Sequence, residues 1–307
     1  DTVAPADIDG AIEPAEGSRP PLAMGLRLRV RHLLVQVADI NKERDMVFAR
    51  YVKGCAKGER GKGSAKDKVE GLVLHLSAQP AGELPVAPVG DERPQGKQHI
   101  RRRNRVLRHA DCITTVSPWH VDFLRRFNAN VHLIYNGYDP ALFYPQNIPA
   151  DKFLITYIGR IYEFQSTSLI EQAVRELARP DIQLNLHTPD HNPIPTSQVG
   201  NEIRRSSILL VLTNPSAHGM MTTKFFEALG CEKPVLCTPS DESILAQTIR
   251  DTRAGLASSD PDEIKAFIID KYHEWQTRGF TRQPVTDKQQ FSRLHQAEQF
   301  LHLFQSL

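Results

Sequence analysis

One stretch, residues 208–240 (ILLVLTNPSAHGMMTTKFFEALGCEKPVLCTPS), most limits what this chain can fold into. Ile208 to Leu212 is an unbroken apolar run, the pattern of a parallel strand covered on both faces. A loop of small residues follows, Ser216-Ala217-His218-Gly219. Thr222 and Thr223 can each cap free N–H groups and so mark a helix start. Phe225, Phe226, Ala228 and Leu229 supply an apolar stripe, with Gly230 the expected C-cap. Lys233-Pro234 then opens a second apolar run, Val235-Leu236-Cys237. Strand, helix and strand in this order form a unit of a doubly wound α/β domain.

Glu227 breaks the packing pattern. It stands between Phe226 and Ala228, on or near the apolar face, where an unpaired carboxylate is costly. A ligand with two adjacent hydroxyls, such as a ribose, satisfies both of its oxygens. The helix start Thr222-Thr223-Lys224 offers free N–H groups, two hydroxyls and an ammonium, which suits a diphosphate. Ribose and diphosphate one helical turn apart describe a nucleotide sugar. The plainer alternative is an ordinary helix whose Glu227 reaches solvent.

At 307 residues the chain has room for two domains, and its 40% hydrophobic and 24% charged content is that of a globular protein. A net charge of +2 is too mild to argue for nucleic acid. Residues 98–109, QHIRRRNRVLRH, predict a helix with Ile100, Val106, Leu107 and Ala110 on one stripe. Their arginines lack interleaved aromatics, which again argues against nucleic acid. Those arginines are either a solvated face or a surface for anionic headgroups, worth about 1 kcal/mol per cation. Cys55, Cys112, Cys231 and Cys237 form no C-x-x-C pair and read as reduced thiols of a cytoplasmic protein. No apolar run approaches the roughly 18 residues of a membrane span, and the first residues lack a signal-peptide core. The expected location is the cytoplasm, with peripheral contact at the inner face of a membrane left open.

In chain order, residues 1–23 are rich in Ala, Pro and acidic residues and read as an extended segment. Residues 24–38 predict at least one strand, or a short helix into a strand, and 45–52 a helix. Residues 53–68 form a basic, Gly-rich loop without the spacing of a phosphate-binding loop. Residues 72–76, LVLHL, predict a buried strand that carries His75 just before its carboxyl end, beyond which ligands bind in such sheets. A strand histidine bonded to backbone is the plainer reading. Further expectations are a strand over 110–117 and a helix from Pro118, then a strand over 153–158. Ser168-Leu169-Ile170-Glu171 is a capping box. Strand 181–188, helix 199–205, helix 242–250, strand 254–256 and helices over 260–275 and 291–304 complete the alternation.

The stretch around Glu227 resembles the donor-site motif of family-4 retaining glycosyltransferases of GT-B fold, in its K-x-x-E variant. Glu227 matches the second Glu of that motif, and Ala228 to Val235 match the small-residue helix and "G-x-P-V" strand that follow. The first Glu falls at Gly219. Further matches are ADCITTVS over 110–117, VHLIYNGYD over 131–139 with Phe143 and Pro145, and Gly159-Arg160. The family's Lys five residues after the Arg is Gln165 here. The resemblance covers residues 98–305, and 1–97 carry no family motif.

The resemblance implies two Rossmann-like doubly wound domains facing across a cleft, 1–145 on the acceptor side and 146–307 holding the nucleotide sugar, with the first domain short or divergent. The terminal helix would pack back on the first domain. It implies a donor site of Gly159, Arg160, His218, Gly219, Met220, Met221, Thr222, Thr223, Lys224 and Glu227, with His75 facing the sugar. Sugar would pass from a nucleotide-diphosphate donor to a saccharide or lipid-linked acceptor, with retention and without a cofactor or metal. Two alternatives stay open: a GT-B sugar-nucleotide epimerase, or an inactive nucleotide-sugar-binding subunit.

Overall fold

The structure is a computed structural model. It describes residues 36–38, 47–51, 71–76, 94–216 and 219–307, with backbone alone for residues before 101 and for Arg102. The expectations for residues 1–23 and 53–68, for His218 and for the His75 side chain lie outside the described residues.

Among the described residues, two five-stranded sheets organise the chain. The first runs in the order β1 (Gln36–Ala38), β2 (Val47–Tyr51), β3 (Gly71–Leu76), β4 (Cys112–Thr115), β5 (Val131–Leu133). The expected helix over 45–52 is instead β2, antiparallel to both β1 and β3. Val47, Phe48 and Tyr51 suit a pleated surface, and pairing on two sides outweighs the short helical pattern. The connection over 39–46 is also too short for a parallel crossover. β3, β4 and β5 are parallel, in the manner of a doubly wound sheet. Helix α1 (Pro94–His109) precedes β4, and α2 (Pro118–Arg125) follows it. α1 begins before the apolar stripe that predicts it.

The second sheet is wholly parallel. It contains β6 (Phe153–Ile158), β7 (Ile182–His187), β8 (Ile208–Val211), β9 (Val235–Cys237) and β10 (Gly255–Ala257). Its order is β10-β9-β8-β6-β7. The helices between its strands are α3 (Ser168–Leu177), α4 (Thr196–Arg205), α5 (Thr223–Cys231) and α6 (Ile244–Asp251). α7 (Pro261–Arg278) follows β10, and α8 (Arg293–Ser306) ends the chain. The apolar run at β8 has its predicted cause, since Leu209 and Val211 join a core with Phe225, Phe226 and Leu229 of α5. Ile208 and Leu210 join the opposite core, with Phe153, Ile170, Ile264 and Ile268. Each fully buried Phe of α5 contributes about 1.5–3 kcal/mol of burial free energy.

Local signals shift in instructive ways. The cap of α3 is Thr167, not Ser168, and its hydroxyl donates to Glu171 Oε1 at 2.7 Å. Gly230 does not end α5. The helix continues to Cys231 and closes at Glu232, in the left-handed region at φ 52°. Gly230 serves a close approach instead, because a Cβ there would lie 2.6 Å from the Tyr138 ring and 2.8 Å from the Phe143 carbonyl. The segment leading from the first sheet to the second thus passes directly over α5. Glu232 pairs with Arg282 at 2.6 Å and Lys288 at 2.5 Å, which ties the helix end to the C-terminal segment. At the other end of that segment, Leu303 and Phe304 of α8 pack with Cys112 of β4 and with Ile134, just past β5.

Candidate functional site

Sheet order places the site. The chain leaves β6 for β7 on one side, then returns to build β8 on the other. Between β6 and β8 the winding reverses, and the crevice beyond the strand ends at such a point is where open α/β sheets bind ligands. The loops leaving these two strands carry Gly159-Arg160 and residues 212–222. The second loop leads directly into α5, so the residues singled out around the donor motif meet at one place.

α5 starts as an anion cradle. Thr222 is its N-cap, with extended backbone and a hydroxyl accepting from the Lys224 N–H at 3.4 Å. The Phe225 N–H bonds the Thr222 carbonyl at 3.2 Å, which leaves the N–H groups of Thr222 and Thr223 at the helix end. Lys224 turns back across the start of the loop after β6. Its Nζ stands 5.3 Å from the centroid of the Tyr157 ring. Burial lowers the pKa of this ammonium. Arg160 follows Gly159 in that loop and is exposed, with its carbonyl accepting from the Tyr157 hydroxyl at 2.6 Å. Thr223 is also exposed.

One turn along α5, Glu227 is partly buried among apolar neighbours. Among the described residues it makes no hydrogen bond and no close ion pair. Desolvation pushes its carboxyl up to about 7, against the milder pull of Lys224 and Arg293. A carboxylate held this way is poised to accept from a ligand's hydroxyls, which would stabilise its charged form.

Gln165 occupies the position where the resembled motif has a lysine, and it is already engaged. Its Nε2 donates to the Leu212 carbonyl at 2.6 Å, and its Oε1 accepts from the Tyr162 N–H at 3.0 Å. It fastens the loop after β6 to the end of β8. Tyr157, Tyr162, Gln165, Met220, Thr222 and Lys224 line a small hollow between these loops.

Gly219 has φ +76°, and a Cβ there would lie 2.7 Å from Trp119 Cβ and 2.9 Å from its Cγ. A glutamate at this position would meet both backbone strain and the indole of α2. Met220 and Met221 are buried, Met221 within the core and Met220 against the hollow. His75 occupies the last pair but one of the β3–β4 register, opposite Thr114, at the carboxyl edge of the first sheet.

Residue-type reasoning assigned no role to Tyr157 or Trp119. Tyr157 supports Lys224 from beneath, and no sequence signal marks it within its strand. Trp119 is 41% exposed immediately after a buried strand, a contrast that could have drawn attention. Its neighbour His120 is buried, accepts or donates at Thr115 Oγ1 over 3.4 Å, and burial lowers its pKa to about 4. The buried thiols are inert by the same effect: Cys112 is pushed up to about 11, and Cys231 and Cys237 to about 12. Among the described residues no group of His, Cys, Asp and Glu could hold a metal ion. None of their helices is long and apolar enough to cross a membrane.

Residues 165–291 match the family model described as "Glycosyl transferase-like", a stretch that contains the helix start and Glu227. The fold resembles that of Anabaena HepE, solved in complex with UDP-glucose, with a TM-score of 0.53 at 14% identity over 69% of this chain and 70% of that one. A glycosyltransferase from Rickettsia africae gives 0.49 at 12% identity over 68% and 66%. The lipopolysaccharide outer core galactosyltransferase WaaB gives 0.47 at 14% identity over 68% and 66%. No curated protein matches the chain in sequence. The chain thus shares an α/β fold of GT-B type with HepE, and residues 165–291 resemble glycosyl transferases in sequence.

Proposed function

We propose that this protein is a glycosyltransferase that moves a sugar from a nucleotide-diphosphate donor to a saccharide or lipid-linked acceptor, with retention, as a family-4 enzyme of the K-x-x-E type. The observation that carries this reading is the meeting of Arg160, Lys224 and the α5 start with the unpaired Glu227 one turn away. A diphosphate at the helix start and a ribose one turn along would engage both. The match of residues 165–291 to a glycosyl transferase-like model supports it, as does the fold shared with a protein solved with UDP-glucose.

In this reading residues 1–145 form the acceptor side and 146–307 the donor side. The anomeric C–O bond breaks with its electron pair going to the β-phosphate oxygen. The acceptor oxygen forms the new bond and gives up its proton to the departing diphosphate oxygen. Charge grows on the leaving diphosphate, so Arg160, Lys224 and the helix N–H groups stabilise the transition state more than the bound donor. His75 would border the sugar from the first sheet. No metal or cofactor is assigned a part. Synthesis of a polysaccharide or glycoconjugate in the cytoplasm, with or without contact at an anionic membrane face, is the setting this reading implies.

A thermal-shift series across nucleoside diphosphates and their sugars tests the donor, because a ligand that binds only the folded state raises its stability. Absence of any shift across uridine, guanosine, adenosine and thymidine forms would reject the reading. Gly219 and the engaged Gln165 favour a second reading, an inactive donor-binding subunit. Donor binding with neither transfer nor slow donor hydrolysis would select it.

A further inference from the structure

We infer that Trp119 is the platform on which the pyranose ring of the donor lies. This rests on the glycosyltransferase reading above and adds the residue that recognises the sugar.

Three observations carry it. Trp119 stands in the first turn of α2, after Pro118, at the carboxyl edge of the first sheet. Gly219 lies three residues before the α5 cap, in the loop beyond β8 of the second sheet. The Trp119 side chain meets that glycine so closely that a Cβ on it would fall 2.7–3.0 Å from three Trp119 carbons, two of them in the indole. The strand-end loops of the two sheets therefore touch here, beside the anion cradle.

The ring is held as well as placed. His120 meets it edge-on at 5.2 Å with planes at 76°, and Gly219 lies against its Cβ side. Yet 41% of Trp119 remains exposed. A large aromatic surface fixed on two sides and open on another costs little entropy to engage. The face of an indole carries negative charge density, which suits the polarised C–H bonds on one face of a pyranose. A diphosphate at the α5 start leaves its sugar to extend past residues 219–221, and Trp119 is the wall there. Gly219 itself has no side chain to offer, and Met220 and Met221 are buried.

The test uses the full chain carrying Trp275→Phe. Trp275 packs on Phe153 and Tyr272, away from the site, and the sequence has two tryptophans, so Trp119 becomes the sole indole reporter. The probes are UDP, GDP, UDP-glucose, UDP-galactose, GDP-mannose and free glucose. Fluorescence of Trp119 should change with a nucleotide sugar and stay unchanged with the parent diphosphate. In calorimetry, Trp119→Ala should weaken binding of the same nucleotide sugar by about three- to tenfold, on the scale of an aromatic-face contact. Affinity for the parent diphosphate should not change, and Trp119→Phe should keep most of the sugar affinity. If Trp119→Ala does not fold, the fluorescence titration alone decides. Equal responses to diphosphate and nucleotide sugar would overturn the proposal. So would a response to free glucose without donor, which would make Trp119 an acceptor platform. If none of the nucleotides binds, the glycosyltransferase reading falls first. If they bind and Trp119 stays silent, only this inference falls.

Discussion

The ammonium of Lys224 fills the space that a side chain at Gly159 would take. A Cβ on Gly159 would lie 2.8 Å from Lys224 Nζ and 2.7 Å from its Cε, and Gly159 holds φ +129°. The glycine and the lysine are therefore one device, assembled from the end of β6 and the start of α5. Gly159→Ala should both strain the loop and push Lys224 off the Tyr157 ring. The expected result is a loss of about 1–3 kcal/mol in stability and weaker nucleoside diphosphate binding, read by thermal unfolding and calorimetry. Unchanged binding in a folded Gly159→Ala variant would separate Lys224 from the diphosphate.

Arg160 and Lys224 should behave differently on removal. Each contact to a diphosphate is charge-assisted and worth roughly 1.5–3 kcal/mol. Arg160 is exposed, so Arg160→Ala should weaken binding and leave the melting temperature alone. Lys224→Ala should weaken binding and also change stability, because a partly buried cation is lost. Calorimetry with UDP or GDP on both variants checks this, and unchanged affinity in both rejects the phosphate assignment.

Glu227 gives stability a pH signature. Its carboxyl ordinarily titrates near 4.5 and is raised to about 7 by burial. The folded protein thus binds the proton more tightly than the unfolded chain. Its contribution is fully present below pH about 4.5 and is lost as pH rises through about 7, by up to about 3 kcal/mol. Glu227→Gln cannot ionise, so it should gain stability on the wild type between pH 5 and pH 8. The same change should weaken ribonucleoside diphosphate binding by about 1–3 kcal/mol and narrow the preference over the 2′-deoxy form. Equal ribose preference in both proteins would remove the ribose from Glu227.

Adding the acid that the resembled motif carries at position 219 should not add function. Gly219→Glu must place a Cβ against Trp119 at φ +76°. Strain of this kind costs about 1–3 kcal/mol, and the displaced indole should lower, not raise, affinity for a nucleotide sugar over its diphosphate. Differential unfolding and the ratio of the two affinities measure both effects.

The second sheet was legible because its signals are local. β8 is a continuous apolar run, and α5 carries both its cap and its stripe in a few residues. The first sheet was less so. Val47 to Tyr51 reads either way, and pairing with a strand distant in sequence decides it for β2. Gly230 shows a second limit: a glycine near a helix end looks like a stop, whereas Tyr138, far earlier in the chain, is what requires it. At the site, Lys224 and Glu227 were readable from residue type on a helix. The support of Tyr157 and the contact of Trp119 with Gly219 were not, because each joins elements that no periodicity links.

Lys224 and Glu227 stand three residues apart on α5, hence about 4.5 Å along its axis. That interval is set by backbone hydrogen bonds within one helix and does not depend on any loop. A partner that engages both residues is measured against a rigid gauge. Movement in the loops beyond β6 and β8 could admit or release it without altering the scale on which it is read.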